Sequence, residues 1–135
     1  MSTIDKETAK ADMERFMTAF RLDGLKKEKL KEEIETCERL IEEGLLIVTA
    51  ENKLEQILLE PIENTAGETM NDRIVYKQKR VRTEDVLKLE NKKEIEKLEG
   101  LFRLVTTLNP LYATKTTGDD LVYFNSIATF FLPAQ

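Results

Sequence analysis

The sequence contains no histidine and no tryptophan, one cysteine, three prolines and five glycines. Without histidine, imidazole acid–base catalysis and histidine metal ligation are excluded. A single thiol, Cys37, can form neither an internal disulfide nor a zinc-binding cluster. Serine occurs only as Ser2 and Ser126, neither in a nucleophile-elbow setting. The glycines are scattered and form no phosphate-cradling GxGxxG or Walker pattern. No apolar run approaches the ~20 residues of a membrane span, and the opening MSTIDKETAK has no apolar signal core. These absences lead us to expect a cytoplasmic chain that is not an enzyme, with no catalytic, cofactor-binding or metal site.

What the chain does have is charge. Charged residues make up 35% of it against 41% hydrophobic, and the formal net charge is −5. That mixture suits long, solvent-washed helices. At 135 residues, one globular unit is expected. The charge is uneven, and residues 73–103 hold ten basic residues against six acidic. Within them Lys77-Gln78-Lys79-Arg80-Val81-Arg82 forms a basic block. No aromatics interleave with it, so it reads as the solvated face of an edge strand protected by lysines, and nucleic acid is not an expected partner.

The clearest periodicity lies between Arg82 and Pro110. Asn91 followed by Glu94 has the spacing of a capping box, predicting a helix over 92–108 with Ile95, Leu98, Phe102 and Val105 on one face. Thr83 caps a shorter helix over 84–90, joined to the longer one or bent near Asn91. Pro110 stops the pattern. At the N-terminus, Met13, Phe16, Met17 and Phe20 form one apolar stripe, with Ala9 a turn back, in a helix over residues 1–22. Gly24 breaks it. A second helix runs from about Leu25 to Glu43, with Leu30, Ile34, Cys37 and Ile41 along its seam, and Gly44 ends it. Cys37 on that seam reads as a buried, inert thiol.

After Gly44 the texture becomes β. Leu45 to Thr49, Leu54 to Ile62 and Arg73 to Val81 read as three strands of a small antiparallel sheet, with 63–70 as a polar loop. Beyond Pro110 a loop, 111–117, leads to a C-terminal helix capped by Thr117 or Asp119. Its apolar face is Leu121, Phe124, Ile127, Ala128 and Phe131, and it is expected to pack on the helix of residues 92–108. Adjacent carboxylates such as Glu32 and Glu33, or Asp119 and Asp120, read as solvated faces. The expected fold class is α+β, mostly α. Residues 1–44 form a helical extension packed on a small α+β domain at 45–135, in one compact unit.

Taken together, residues 57–132 resemble the small phage tail assembly chaperones encoded just upstream of the tape measure gene. The segments that carry the resemblance are ILLEPI, ENTAGETMND, RIVYKQKRV, RTEDVLKLE, LEGLFRLVTTLNPLY and TGDDLVYFNSIATFFL. A strand ending at Pro61-Ile62 turns into a second strand, a step from Arg80 or Arg82 to Asp85-Val86 enters a helical region over Leu98 to Leu108, and Asp119-Asp120 opens a terminal helix at Leu121. The resemblance implies a non-enzymatic chaperone that coats the helical tape measure protein until tube subunits replace it, often made with a longer frameshifted form, in the host cytoplasm. The partner surface would be the stripe Met13, Phe16, Met17 and Phe20 or the face Leu121, Phe124, Ile127 and Phe131. A homo-oligomer is expected. The alternative is a structural or adaptor subunit of a virion or other assembly, arranged like prefoldin as helix, hairpin and helix.

Overall fold

A computed structural model describes residues 4–22 and 24–133. The first helix, α1 (Lys6–Ala19), begins where the Asp5 side chain accepts the Thr8 N–H at 2.8 Å, a bond that also holds the Asp5 carboxyl below its ordinary value. It ends five residues before Gly24. Arg21 takes up a left-handed conformation, φ 57°, while Leu22 N–H donates to Met17 O at 3.0 Å and Arg21 N–H to Thr18 O at 3.1 Å. This is a Schellman termination, with arginine where glycine is favoured and the buried Leu22 as its apolar clasp. Gly24 therefore opens the next helix instead of breaking the first.

The second predicted helix is two. α2 (Gly24–Lys29) and α3 (Lys31–Glu42) meet at Leu30, whose backbone is not helical (φ −102°, ψ 23°). Along the expected seam Cys37 and Ile41 are buried, joined by Leu40, whereas Leu30 and Ile34 are only partly covered. Gly44, at φ 77°, supplies the αL turn that ends α3, with Leu45 N–H donating to Leu40 O at 2.9 Å.

The sheet has three antiparallel strands in the order β1 (Leu46–Val48), β2 (Leu54–Glu63), β3 (Thr69–Val75). Arg15 of α1 ties the β1–β2 turn to the helical layer, donating to Thr49 O and Asn52 Oδ1, both at 2.7 Å. The β2–β3 loop is tighter than its composition suggests. Asn64 Oδ1 accepts from both Ala66 and Glu68 N–H at 2.9 Å, and Gly67 takes φ 83°, so residues 64–68 suffice to reverse the chain.

β3 starts and stops earlier than predicted, and the basic block is not part of it. Tyr76 leaves the sheet through a single bridge to Thr106, and residues 77–82 form an irregular crossing to α4 (Thr83–Leu87). The reason lies in burial: Tyr76 is fully enclosed, stacked on Phe131 at 5.6 Å and Phe124 at 6.1 Å, and Lys77 N–H is taken by Val105 O at 2.8 Å.

The expected helix over 92–108 is α5 (Glu94–Val105). Lys93, not Asn91, is its N-cap, and no side-chain cap bond forms; Asn91 lies exposed in the turn that separates α4 from α5. At the other end Thr106 is extended because it pairs with Tyr76. Pro110 opens a 3-10 helix (Pro110–Lys115) in place of the expected loop, its first free N–H, that of Leu111, taken by Asn109 Oδ1 at 3.0 Å. α6 (Gly118–Ala128) is the last helix among the described residues.

Among the described residues one buried apolar cluster runs from Ala9 of α1 to Phe131, so α1 and α3 share a core with the sheet and the later helices. Phe16 of α1 meets Phe130 and Phe131, each at 6.1 Å between ring centroids, and Phe124 of α6 stacks on Phe102 of α5 at 4.0 Å. The architecture is α+β and mostly α, with helices at both ends of the chain around the sheet.

Candidate docking surface

Both faces expected to meet a partner lie inside. Met13, Phe16 and Met17 are buried, as are Phe124, Ile127 and Phe131; Phe20 and Leu121 are partly covered. The correction has a simple cause. The periodicity that marks an amphipathic helix is the same whether its stripe faces the chain's own core or another chain, and here the two stripes cover each other: Phe20 packs edge-on against Phe131 at 4.9 Å.

Asp120, read from the sequence as part of a solvated acidic pair, is 1% exposed. Its carboxylate does not cap its own helix. Oδ1 accepts the Leu59 N–H at 2.8 Å and Oδ2 the Glu60 N–H at 2.9 Å. Those donors exist because β2 carries extra residues: Ile57 pairs with Arg73 but the next pair is Ile62 with Asn71, leaving 58–61 bulged out of register. Gln56 extends the contact by donating from Nε2 to Asp120 O at 2.9 Å while accepting the Tyr76 hydroxyl at 2.7 Å. Thr117 Oγ1 donates to Glu60 at the same junction. A buried polar chain from Tyr76 through Gln56 to Asp120 therefore fixes α6 on the bulge. Burial pushes the Tyr76 phenol well above its ordinary value, with the nearby Cys37 adding to the shift. Cys37 itself is fully buried and its thiol is pushed up, first by burial and then by Glu33 and Glu38. Among the described residues no three Asp, Glu or Cys side chains gather as a metal ion would need, and no helix is long and apolar enough to cross a membrane.

The basic block holds helix ends. Arg80 donates to the carbonyls of Phe20 and Arg21, at the C-terminus of α1, and lays its guanidinium 5.5 Å from the Phe20 ring centre. Lys77 Nζ donates to Arg103 O, in the last turn of α5, at 2.6 Å. Cations at these positions satisfy terminal carbonyls and complement the helix dipole.

One connected apolar surface left open lies along α5. On its α6 side a shallow crevice of about 410 Å³ is lined by Ile95, Leu98, Leu101 and Leu121, with Glu94, Lys97 and Asn125 at its edges. On its α4 side a second one, about 260 Å³, is lined by Val86, Leu89, Leu101 and Leu132, edged by Glu90 and Lys97. Lys97 and Leu101 belong to both, so the two hollows flank one ridge. Ile95 is 61% exposed and Leu87, at the end of α4, 54%. The helix can turn so closely past α4 because residue 100 is glycine: a Cβ there would stand 2.5 Å from Leu89 Cδ2. The sequence signal is present in Ile95 and Leu98, on the apolar face predicted for the helix over 92–108; the first turn of α5 leaves Ile95 without cover. This arrangement presents aliphatic hollows with a charged rim, the chemistry that accepts an amphipathic helix. No protein-family model, curated protein or solved structure matches the chain.

Proposed function

We propose that the chain is a non-enzymatic protein-binding assembly factor whose docking surface is the pair of aliphatic hollows along α5. The observation that carries this reading is the exposure of Ile95 beside Leu98, Leu101 and Leu121, a connected apolar surface within a chain of 35% charged residues. The charged rim keeps such a complex in solution while the aliphatic floor supplies contact. The resemblance over residues 57–132 to phage tail assembly chaperones supports a long helical tape measure protein as the client, held in the host cytoplasm by several copies of this subunit. The docking surface proposed is thus α5 with its neighbours, in place of the stripe on α1.

The test is co-expression of a tape measure protein with the tagged chain, or with Ile95→Asp or Leu87→Asp variants. The reading expects the client in the soluble fraction and captured with the wild-type chain, and lost with Ile95→Asp while the variant stays folded. Recovery of a fixed-ratio structural partner and no tape measure protein would favour an adaptor subunit instead.

A further inference from the structure

Residues 77–82 form a ridge with a hollow on each flank. The larger, about 670 Å³, is walled by Lys77, Lys79, Arg80 and Arg82 together with Val81 and Leu104. The smaller, about 160 Å³, is walled by Lys26, Lys29 and Arg80 with Leu25, Val81 and Leu132. In the larger hollow four cations thus face two carboxylates, Glu84 and Asp85, on a chain whose net charge is −5.

The helix-end bonds of this segment do not cancel its charge. Lys77 and Arg80 donate to carbonyl oxygens, which are neutral. Arg82 is paired with Glu84 only at 3.9 Å and its side chain is 82% exposed, while Asp85 is shared with Lys88 at 4.0 Å. Exposed pairs of that length contribute little. The positive potential of the larger flank therefore remains available to a partner.

The walls also say which polyanion fits. Binding single-stranded nucleic acid calls for aromatic faces on which bases stack. No aromatic side chain lines either hollow, and the Phe20 ring is already covered by the Arg80 guanidinium. What lies between the cations is aliphatic: Val81, Leu104, Leu132 and Leu25, the last 65% exposed. We infer that the ridge at 77–82 is a second docking surface, which takes an acidic amphipathic protein segment, its carboxylates on the Lys79 and Arg82 side and its aliphatic residues against the partly covered Leu104. This surface is separate from Ile95 and stands on its own charge and lining.

The experiment is fluorescence anisotropy of the full chain with a labelled amphipathic peptide of Glu and Leu, alongside the same peptide with Lys in place of Glu and a labelled oligothymidine. The expected result is binding of the Glu/Leu peptide alone, weakened by added salt and weakened roughly tenfold or more in the K79E/R82E double variant. Both side chains are exposed, so the variant should keep its circular dichroism spectrum, and Arg80 is left in place to hold α1. Ile95→Asp should not alter this binding. Equal binding by K79E/R82E, equal binding of the Lys peptide, no binding of the Glu/Leu peptide, or retention of oligothymidine in its place would each overturn the inference.

Discussion

The Asp120 carboxylate stands 2.8 Å from the Leu59 N–H, across sixty-one residues of chain, and with its other oxygen takes the next N–H on the bulged strand. Asp120 is nearly sealed from water, and its removal leaves two part-buried donors unpaired at once. Asp120→Ala should cost about 2–4 kcal/mol in urea unfolding, and Asp120→Asn, which keeps one acceptor oxygen, distinctly less. Equal losses for the two variants would mean that packing, not the paired bonds, holds this junction.

Arg21 is the counterpart of Gly44: both end a helix in the left-handed region, at φ 57° and 77°. Only glycine does so without a Cβ penalty. Arg21→Gly should therefore stabilise the chain by about 1 kcal/mol. Removing the Arg80 guanidinium should act in the opposite sense, with faster amide exchange at the end of α1. An Arg21→Gly variant less stable than the parent would show that its side chain supplies more than the turn costs.

Alkaline pH should destabilise the fold. Cys37 and Tyr76 have ordinary values of 9.0 and 10.0, and both are raised in the folded chain. Above those values the unfolded chain gives up protons that the native chain keeps, so stability falls as pH rises. The decline should begin near pH 9, steepen beyond pH 10, and start later in Cys37→Ala. The native thiol should also resist alkylation until the chain opens.

Phe16 and Ile95 separate core from surface. Phe16→Ala, at a ring that touches Phe20, Phe130 and Phe131, should cost about 3–5 kcal/mol. Ile95→Asp, at a side chain mostly in water, should change stability little. Thermal or urea unfolding of the two variants checks the contrast, which is the premise for placing the docking surface on α5.

Gly100 and Leu89 should be coupled. A methyl group at residue 100 collides with the Leu89 side chain, but alanine is the better helix former by about 1 kcal/mol. In a Leu89→Ala background the collision is gone, so adding Gly100→Ala should raise stability by about that amount. A double-mutant cycle measures this, and a further loss would place the obstruction in the backbone.

Local chemistry made several elements legible. The stripe of α1, the end of α3 at Gly44, the three-strand succession after it and the apolar face of α6 all follow from periodicities of 3.6 or 2 and from where glycine and proline stand. The same rules placed Asn91 as a cap, yet α5 begins at Glu94, and they carried β3 through the basic block. The second misplacement comes from groups whose partners lie far along the chain: Tyr76 turns inward onto Phe124 and Phe131, and Val105 O takes the Lys77 N–H.

By itself, then, the sequence determined the succession of helices, strands and terminal helices and the mostly helical character, because these depend on residues within a few turns of one another. Only the tertiary structure decided which apolar stripe is core and which is surface, that Asp120 clamps a strand bulge, and that Arg80 holds the end of α1. The physical reason is that burial and hydrogen-bond satisfaction are properties of pairs. Asp120 and Leu59, or Phe20 and Arg80, acquire their roles only when the fold brings them together.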